Sequence, residues 1–140
     1  MRVLFDNNVI IDSLKPNAEF EANASELLKL AMSKKINGFI SANSLSDIFY
    51  VLRKTHGNEK AKWAIKKVTE TLEIIGLTSD DCIVALDSPM SDFEDALVEV
   101  CAIKSAVDYI VTRDEKFLNT ESKVKKIIPS DFLTLQGIVK

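Results

Sequence analysis

A chain of 140 residues, 46% hydrophobic and 28% charged, is long enough for one domain with a core of its own. No apolar stretch approaches the roughly 20 residues of a membrane span, and Asp6 and Asp12 interrupt the only candidate for a leader segment. A net charge of −3 gives no sign of the broadly basic surface of an electrostatic nucleic-acid binder, although a local patch or a metal ion can reverse the local field.

Taken in chain order, short apolar runs alternate with helical patterns. A strand over residues 3–5 (Val3, Leu4, Phe5) stops at Asp6. Residues 22–34 carry Ala24, Leu27, Leu28 and Ala31 at helical spacing, and residues 38–40 read as a second strand. Residues 45–55 carry Leu45, Ile48, Phe49 and Leu52. Gly57 divides them from residues 59–73, where Ala61, Ile65, Val68 and Leu72 form the apolar stripe. A third strand at 74–77 precedes Pro89 and a helix over 93–106, with Phe93, Ala96, Leu97, Val100 and Cys101 on its apolar face. Strands at 109–112 and 126–128 close the chain. The pattern predicts an α/β fold: three layers, α/β/α, around a central, mostly parallel sheet of about five strands, with residues 1–140 as one domain.

Two side features have their own readings. Cys82 and Cys101 form no CxxC and sit in apolar helical patterns, as reduced core thiols of a cytoplasmic protein do. Trp63 falls opposite the apolar stripe of its helix, among Glu59, Lys66, Lys67 and Glu70. A large aromatic on a charged face marks a candidate partner surface. The alternative is a ring lying flat on its own helix or tucked under the preceding one.

The acids decide the functional reading. Ligands of a parallel α/β sheet bind at the carboxyl ends of its strands. Asp6 ends the first strand, and the second leads through residues 41–43 into a helix whose first turn contains Asp47. The start of the 93–106 helix returns to the same edge with Asp92 and Asp95, and the fourth strand ends beside Asp114. Each acid alone has a local explanation: Ser44 with Asp47, and Ser91 with Glu94, resemble capping boxes, and Asp6 and Asp114 suit turns. Four such coincidences at one edge are harder to accept. Two carboxylates about 4 Å apart repel by roughly 4 kcal/mol at an effective dielectric of about 20, so a cluster must take up protons or bind a cation. Carboxylates without histidine or thiolate suit a hard octahedral ion, Mg²⁺ or Mn²⁺. His56, the only histidine, sits at a helix end and reads as a surface residue. Zinc hydrolysis, a Ser-His-Asp triad and a glycine-rich phosphate loop are all poorly supplied.

The segments DNNVIID, SANSLSDIFYVLRK, DFEDALVEVCA, DYIVTRDEKF and IIPSDFL resemble, in order, the motifs of the PIN-domain family over nearly the whole chain. Asn7 stands where the family usually has a small hydroxyl residue, and Asp47 where many members have Glu. The resemblance implies an acidic quartet of Asp6, Asp47, Asp95 and Asp114, with Asp6, Asp95 and Asp114 on the metal. It casts Asn8 and Thr112 as supports and Asp92 as an outer acid. The fourth motif is one residue short, which leaves the fourth acid open between Asp114 and Glu115. A Mg²⁺- or Mn²⁺-dependent ribonuclease is implied, often the VapC-like toxin of a toxin–antitoxin pair, leaving a 3′-hydroxyl and a 5′-phosphate. Expected partners are RNA, a cognate antitoxin and a second copy in a homodimer, with no membrane. Arg53, Lys54 and Arg113 flank the acidic segments as candidate RNA contacts. Two rival classes remain: a PIN-fold RNA- or protein-binding module with little nuclease activity, and a phosphotransfer domain, which lacks the DxD expected after the first strand.

Overall fold

The computed structural model describes residues 1–16 and 18–138. Strand β1 (Arg2–Phe5) alternates its side chains across a sheet, so Val3 and Phe5 enter one core and Leu4 the other. The same period of two separates Ile40 from Phe39 in β2 (Asn37–Ser41) and Val111 from Ile110 in β4 (Tyr109–Val111). With β3 (Glu73–Ile75) and β5 (Lys125–Ile127) they form a five-stranded sheet in the order β3-β2-β1-β4-β5. Every neighbouring pair is parallel, so the expected mostly parallel sheet is wholly parallel.

Parallel sheets need cover on both faces. The face of Val3 and Phe5 receives α1 (Asn7–Ser13), α2 (Glu21–Met32), α3 (Ala42–His56), α4 (Asn58–Thr71) and α8 (Pro129–Leu135). The face of Leu4 receives α6 (Phe93–Lys104) and α7 (Glu115–Leu118) through Val98, Cys101 and Phe117. Helix α5 (Ser79–Leu86) packs on α6 through Ala85, Ala96 and Leu97. Among the described residues no helix is long and apolar enough to cross a membrane. Cys82 and Cys101 are free thiols, Cys101 fully buried.

Five local expectations need correction. Helix α3 begins at Ala42, not at residue 45, so Asp47 lies in its second turn. Ser44 is no cap: its buried hydroxyl pairs with that of Ser41 at 2.9 Å. Glu73 is already in β3 rather than at the end of α4, and Phe93 is 43% exposed rather than part of the α6 core stripe. Trp63 is 61% exposed, which removes the reading that tucks it under α3, and Lys67 Nζ lies 5.6 Å from its ring centroid. Neither α1 nor α5 shows in the periodicity of the sequence. Gly57, at φ 87°, ends α3 and starts α4; that left-handed conformation favours glycine.

Candidate functional site

Asp6 ends β1 and caps α1. One oxygen accepts from the Asn7 amide at 2.8 Å; the other accepts from the Thr112 hydroxyl at 2.8 Å and Asn8 Nδ2 at 3.2 Å. Asn8 Nδ2 also donates to Thr112 Oγ1 at 3.0 Å, and its Oδ1 accepts from the Arg113 amide at 3.3 Å. This network ties the carboxyl end of β1 to that of β4. Asn8 and Thr112 both lie against Asp6. Asp6 is only 6% exposed, and its burial raises its pKa although the Thr112 and Asn7 bonds pull the other way.

The other acids arrive on separate elements. Asp47, on α3, accepts from Asn7 Nδ2 at 3.2 Å, so the asparagine that replaces a hydroxyl bridges two of the acids. On α6, the cap is Asp92, which accepts from the Asp95 amide at 3.1 Å; the expected box of Ser91 and Glu94 is displaced by one residue. Asp114 caps α7, accepting from the Lys116 amide at 3.0 Å. Asp92, Asp95 and Asp114 share a cleft of about 620 Å³ with Ser91, Lys116, Asn119 and Thr120. Glu115 instead lines a different cleft, with Glu19, Phe20 and Arg113. Geometry thus sets Asp114 with the other acids and Glu115 apart from them.

These carboxylates feel one another. Burial, then Asp92, Asp6, Asp114 and Glu94, push Asp95 up to about 7. Glu94 is raised too, by burial and by Asp47, Asp92 and Asp6. The sequence reading had spent Glu94 on a cap and so missed its place in this field. Among the described residues no three of His, Cys, Asp and Glu converge tightly enough to cage a metal ion unaided. Mg²⁺ does not require a cage, since it is commonly held by one or two carboxylates while keeping several waters. Two buried acceptors lack a hydrogen-bond partner on the helices that carry the acids: Asn43 Oδ1, one turn before Asp47, and Glu99 Oε2, one turn after Asp95. The donor set, all oxygen, suits Mg²⁺ or Mn²⁺.

The candidate RNA contacts divide. Arg53 and Lys54 are exposed on α3. Arg113 is engaged: its guanidinium pairs through Nε and Nη2 with Asp12, which is 3% exposed, and covers the Phe20 ring at 4.3 Å. Asp12 raises the Arg113 pKa further. The sequence reading had no role for Asp12, whose burial on α1 only the packing reveals. Lys126 was missed in the same way. Its ammonium donates to the carbonyls of Phe117 and Thr120, the latter at 2.6 Å, and to the Thr120 hydroxyl, which clamps the far end of α7.

An all-parallel sheet between two layers of helices, with acids from four segments on one rim, defines an α/β domain whose carboxyl edge is acidic. The sequence matches the PIN-domain family over residues 2–116, and the chain belongs to that family. No protein of curated function matches it in sequence. Solved structures share the fold at low identity. A chain of DNA-bound VapBC from Salmonella typhimurium is 16% identical, with a TM-score of 0.69 over 92% of this chain and 98% of that one. A chain of VapBC2 from Rickettsia felis, bound to a promoter DNA fragment, is 18% identical, with a TM-score of 0.67 over 91% and 98%. VapC20 from Mycobacterium tuberculosis, a toxin that cleaves the sarcin–ricin loop, is 16% identical, with a TM-score of 0.65 over 82% and 92%.

Proposed function

We propose that this PIN-domain protein is a cytoplasmic, metal-dependent endoribonuclease that hydrolyses RNA phosphodiester bonds, and that it is the toxin of a toxin–antitoxin pair. One observation carries the reading: acids from four distant segments are held at one edge, where burial first and neighbouring carboxylates second raise the pKa of Asp6, Glu94 and Asp95. The likeness of fold to VapBC chains supports the pairing with an antitoxin, and the likeness to a toxin that cleaves the sarcin–ricin loop supports RNA as substrate.

Asp6, Asp95 and Asp114 would hold Mg²⁺ or Mn²⁺. A bound ion supplies Lewis-acid charge to the scissile phosphate and makes water a nucleophile near neutral pH. The chain does the rest. Asp95, whose carboxylate accepts no hydrogen bond among the described residues, is free to ligate. Asn8 and Thr112 keep Asp6 aimed, while Asp47, steadied by Asn7, is placed to orient the attacking water. Asp92 fixes the first turn of α6 and with it the backbone of Asp95. Arg113, held by Asp12, stiffens the turn that carries Asp114. Hydrolysis in this arrangement leaves a 3′-hydroxyl and a 5′-phosphate.

The test is cleavage of single-stranded RNA that chelator stops and Mn²⁺ or Mg²⁺ restores. Asp6→Asn and Asp95→Asn should each lose at least about 100-fold, the scale of a lost electrostatic group at a reacting centre. Asp114→Asn should cost more than Glu115→Gln. The fourth motif, one residue short, favours one other reading, a PIN-fold binding module with little nuclease activity. Equal cleavage by wild type and Asp95→Asn, traceable to a contaminant, supports that module instead.

A further inference from the structure

We infer that Tyr50, flanked by Arg53 and Lys54, is a stacking platform for a nucleobase of single-stranded RNA next to the scissile phosphate, an inference that rests on the ribonuclease reading above. Asp47, Tyr50 and Lys54 follow one another at i, i+3 and i+7 on α3 and so share a face. At 1.5 Å per residue, Tyr50 stands about 4.5 Å and Lys54 about 10 Å along the helix from Asp47. The stripe therefore starts at the acidic rim and leads away from it. Tyr50 is 52% exposed. Lys54 Nζ lies 4.8 Å from its ring centroid and Arg53 Cζ 5.7 Å from it.

Charge says which partner fits. Among the described residues neither Arg53 nor Lys54 forms an ion pair. The exposed aromatic–cation clusters elsewhere differ: Lys67, beside Trp63, is 3.8 Å from Glu70, and Arg113, over Phe20, is paired with Asp12. Tyr50 thus sits beside two unpaired cations on a protein whose net charge is −3. RNA affinity on such a protein has to be local, and phosphates would meet these two cations directly after leaving the rim. Basic residues in a last helical turn also offset the helix dipole. That accounts for the charges but not for the half-exposed ring between them. Single-stranded RNA is recognised by stacking of unpaired bases on aromatic and guanidinium planes, which is tolerant of sequence.

Binding is measured by fluorescence anisotropy on the Asp95→Asn background, which leaves the strand uncut. The probes are a fluorescein-labelled, mixed-sequence single-stranded RNA and the same backbone carrying abasic positions. Tyr50→Ala should weaken binding of the base-bearing RNA by about 5- to 150-fold, the span of one lost base–aromatic stack, and leave the abasic strand unchanged. Tyr50→Trp should retain binding. Circular dichroism melts check that each variant is folded. Equal affinity of Tyr50→Ala and its parent for the base-bearing strand overturns the platform. A loss confined to binding of a protein partner, with RNA binding intact, also overturns it. The outcomes separate from the function itself: wild type that cleaves no RNA, while Tyr50→Ala still loses stacking, sinks the nuclease and keeps the platform. Wild-type cleavage with unchanged KM in Tyr50→Ala does the reverse.

Discussion

Asp95 shows how a single side chain can be unfavourable in the fold and useful at the site. Its carboxyl is pushed from the usual 3.8 to about 7 by burial and by four neighbouring acids. An acid that binds its proton more tightly in the folded than in the unfolded chain makes stability fall as pH rises. The loss begins near an unfolded pKa of about 4 and is complete above the folded value. In chelator, the melting temperature should therefore drop between about pH 4 and about pH 8, and Asp95→Asn should flatten that slope. Mg²⁺ or Mn²⁺ at about 100 times its dissociation constant should return roughly 2.7 kcal/mol to the wild type. A wild-type melt indifferent to both pH and metal would sink the shared acidic site. Lys126 acts at the same scale from outside the site. Its ammonium serves two carbonyls and a hydroxyl at the end of α7, whose other end Asp114 caps. Lys126→Met should cost about 1–3 kcal/mol in urea unfolding, because the acceptors lose their donor. It should also weaken the metal-dependent rise in melting temperature, by loosening the turn at Asp114. Loss of stability with an unchanged metal response would confine Lys126 to a packing role.

Helix ends carry much of the fold's definition. Helices α2 and α6 stop in the same way. Lys34 and Ala106 adopt left-handed φ of 63° and 51°, and the amides that follow, of Lys35 and Val107, reach back to the Leu30 and Ala102 carbonyls at 2.9 Å and 3.1 Å. Glycine is the usual residue at such a position, and a side chain there costs about 1–2 kcal/mol. Ala106→Gly and Lys34→Gly should each raise stability, by up to about 1 kcal/mol once the freer unfolded chain is counted. Thermal melts of the two variants and their double mutant check this. A fall in both would mean that another contact, and not φ, governs these turns. The helix starts follow a different rule: Asp6, Thr78, Asp92 and Asp114 each cap one with a side-chain oxygen. Three of those four caps are site acids, so capping and function draw on the same carboxylates. This double use is why a local reading of any one of them is plausible and incomplete.

Over the whole molecule, the acidic rim lies at the carboxyl edge of the sheet, while Trp63 stands on α4 at the outer surface. We propose that the Trp63 face of α4 joins two copies in a homodimer or meets an antitoxin. Trp63→Ala should weaken self-association or antitoxin binding and spare metal binding, as read by sedimentation of both proteins at micromolar concentration. Helix α5 offers a competing surface, with Ile83, Val84 and Leu86 exposed by 57%, 57% and 70%. If Leu86→Asp dissociates the assembly and Trp63→Ala does not, the contact lies there instead.

The strands, the long helices and the shared edge of the acids were legible in the sequence because each rests on a local period or on the topology a parallel sheet imposes. Val3 and Phe5 against Leu4 is a period of two, and the stripe of Ala61, Val68 and Leu72 a helical one. A strand that must be followed by a crossover helix sends its last residue to one edge, and this topology alone puts Asp6, Asp47, Asp95 and Asp114 on the same rim. Tertiary structure decided the rest. Helix α1 has seven residues, too few to be stable alone, and forms because Asp6 caps it and Val9 and Ile10 are buried. The pairing of Asp12 with Arg113, 101 positions apart, has no local signature, and it commits a candidate RNA contact to an ion pair within the fold. Glu94 joined the acidic field, and Glu115 left it, by the direction in which a helix start faces. Short-range pattern fixes which residues are apolar and where an element can begin, whereas the direction of a charged side chain depends on distant burial and distant charge.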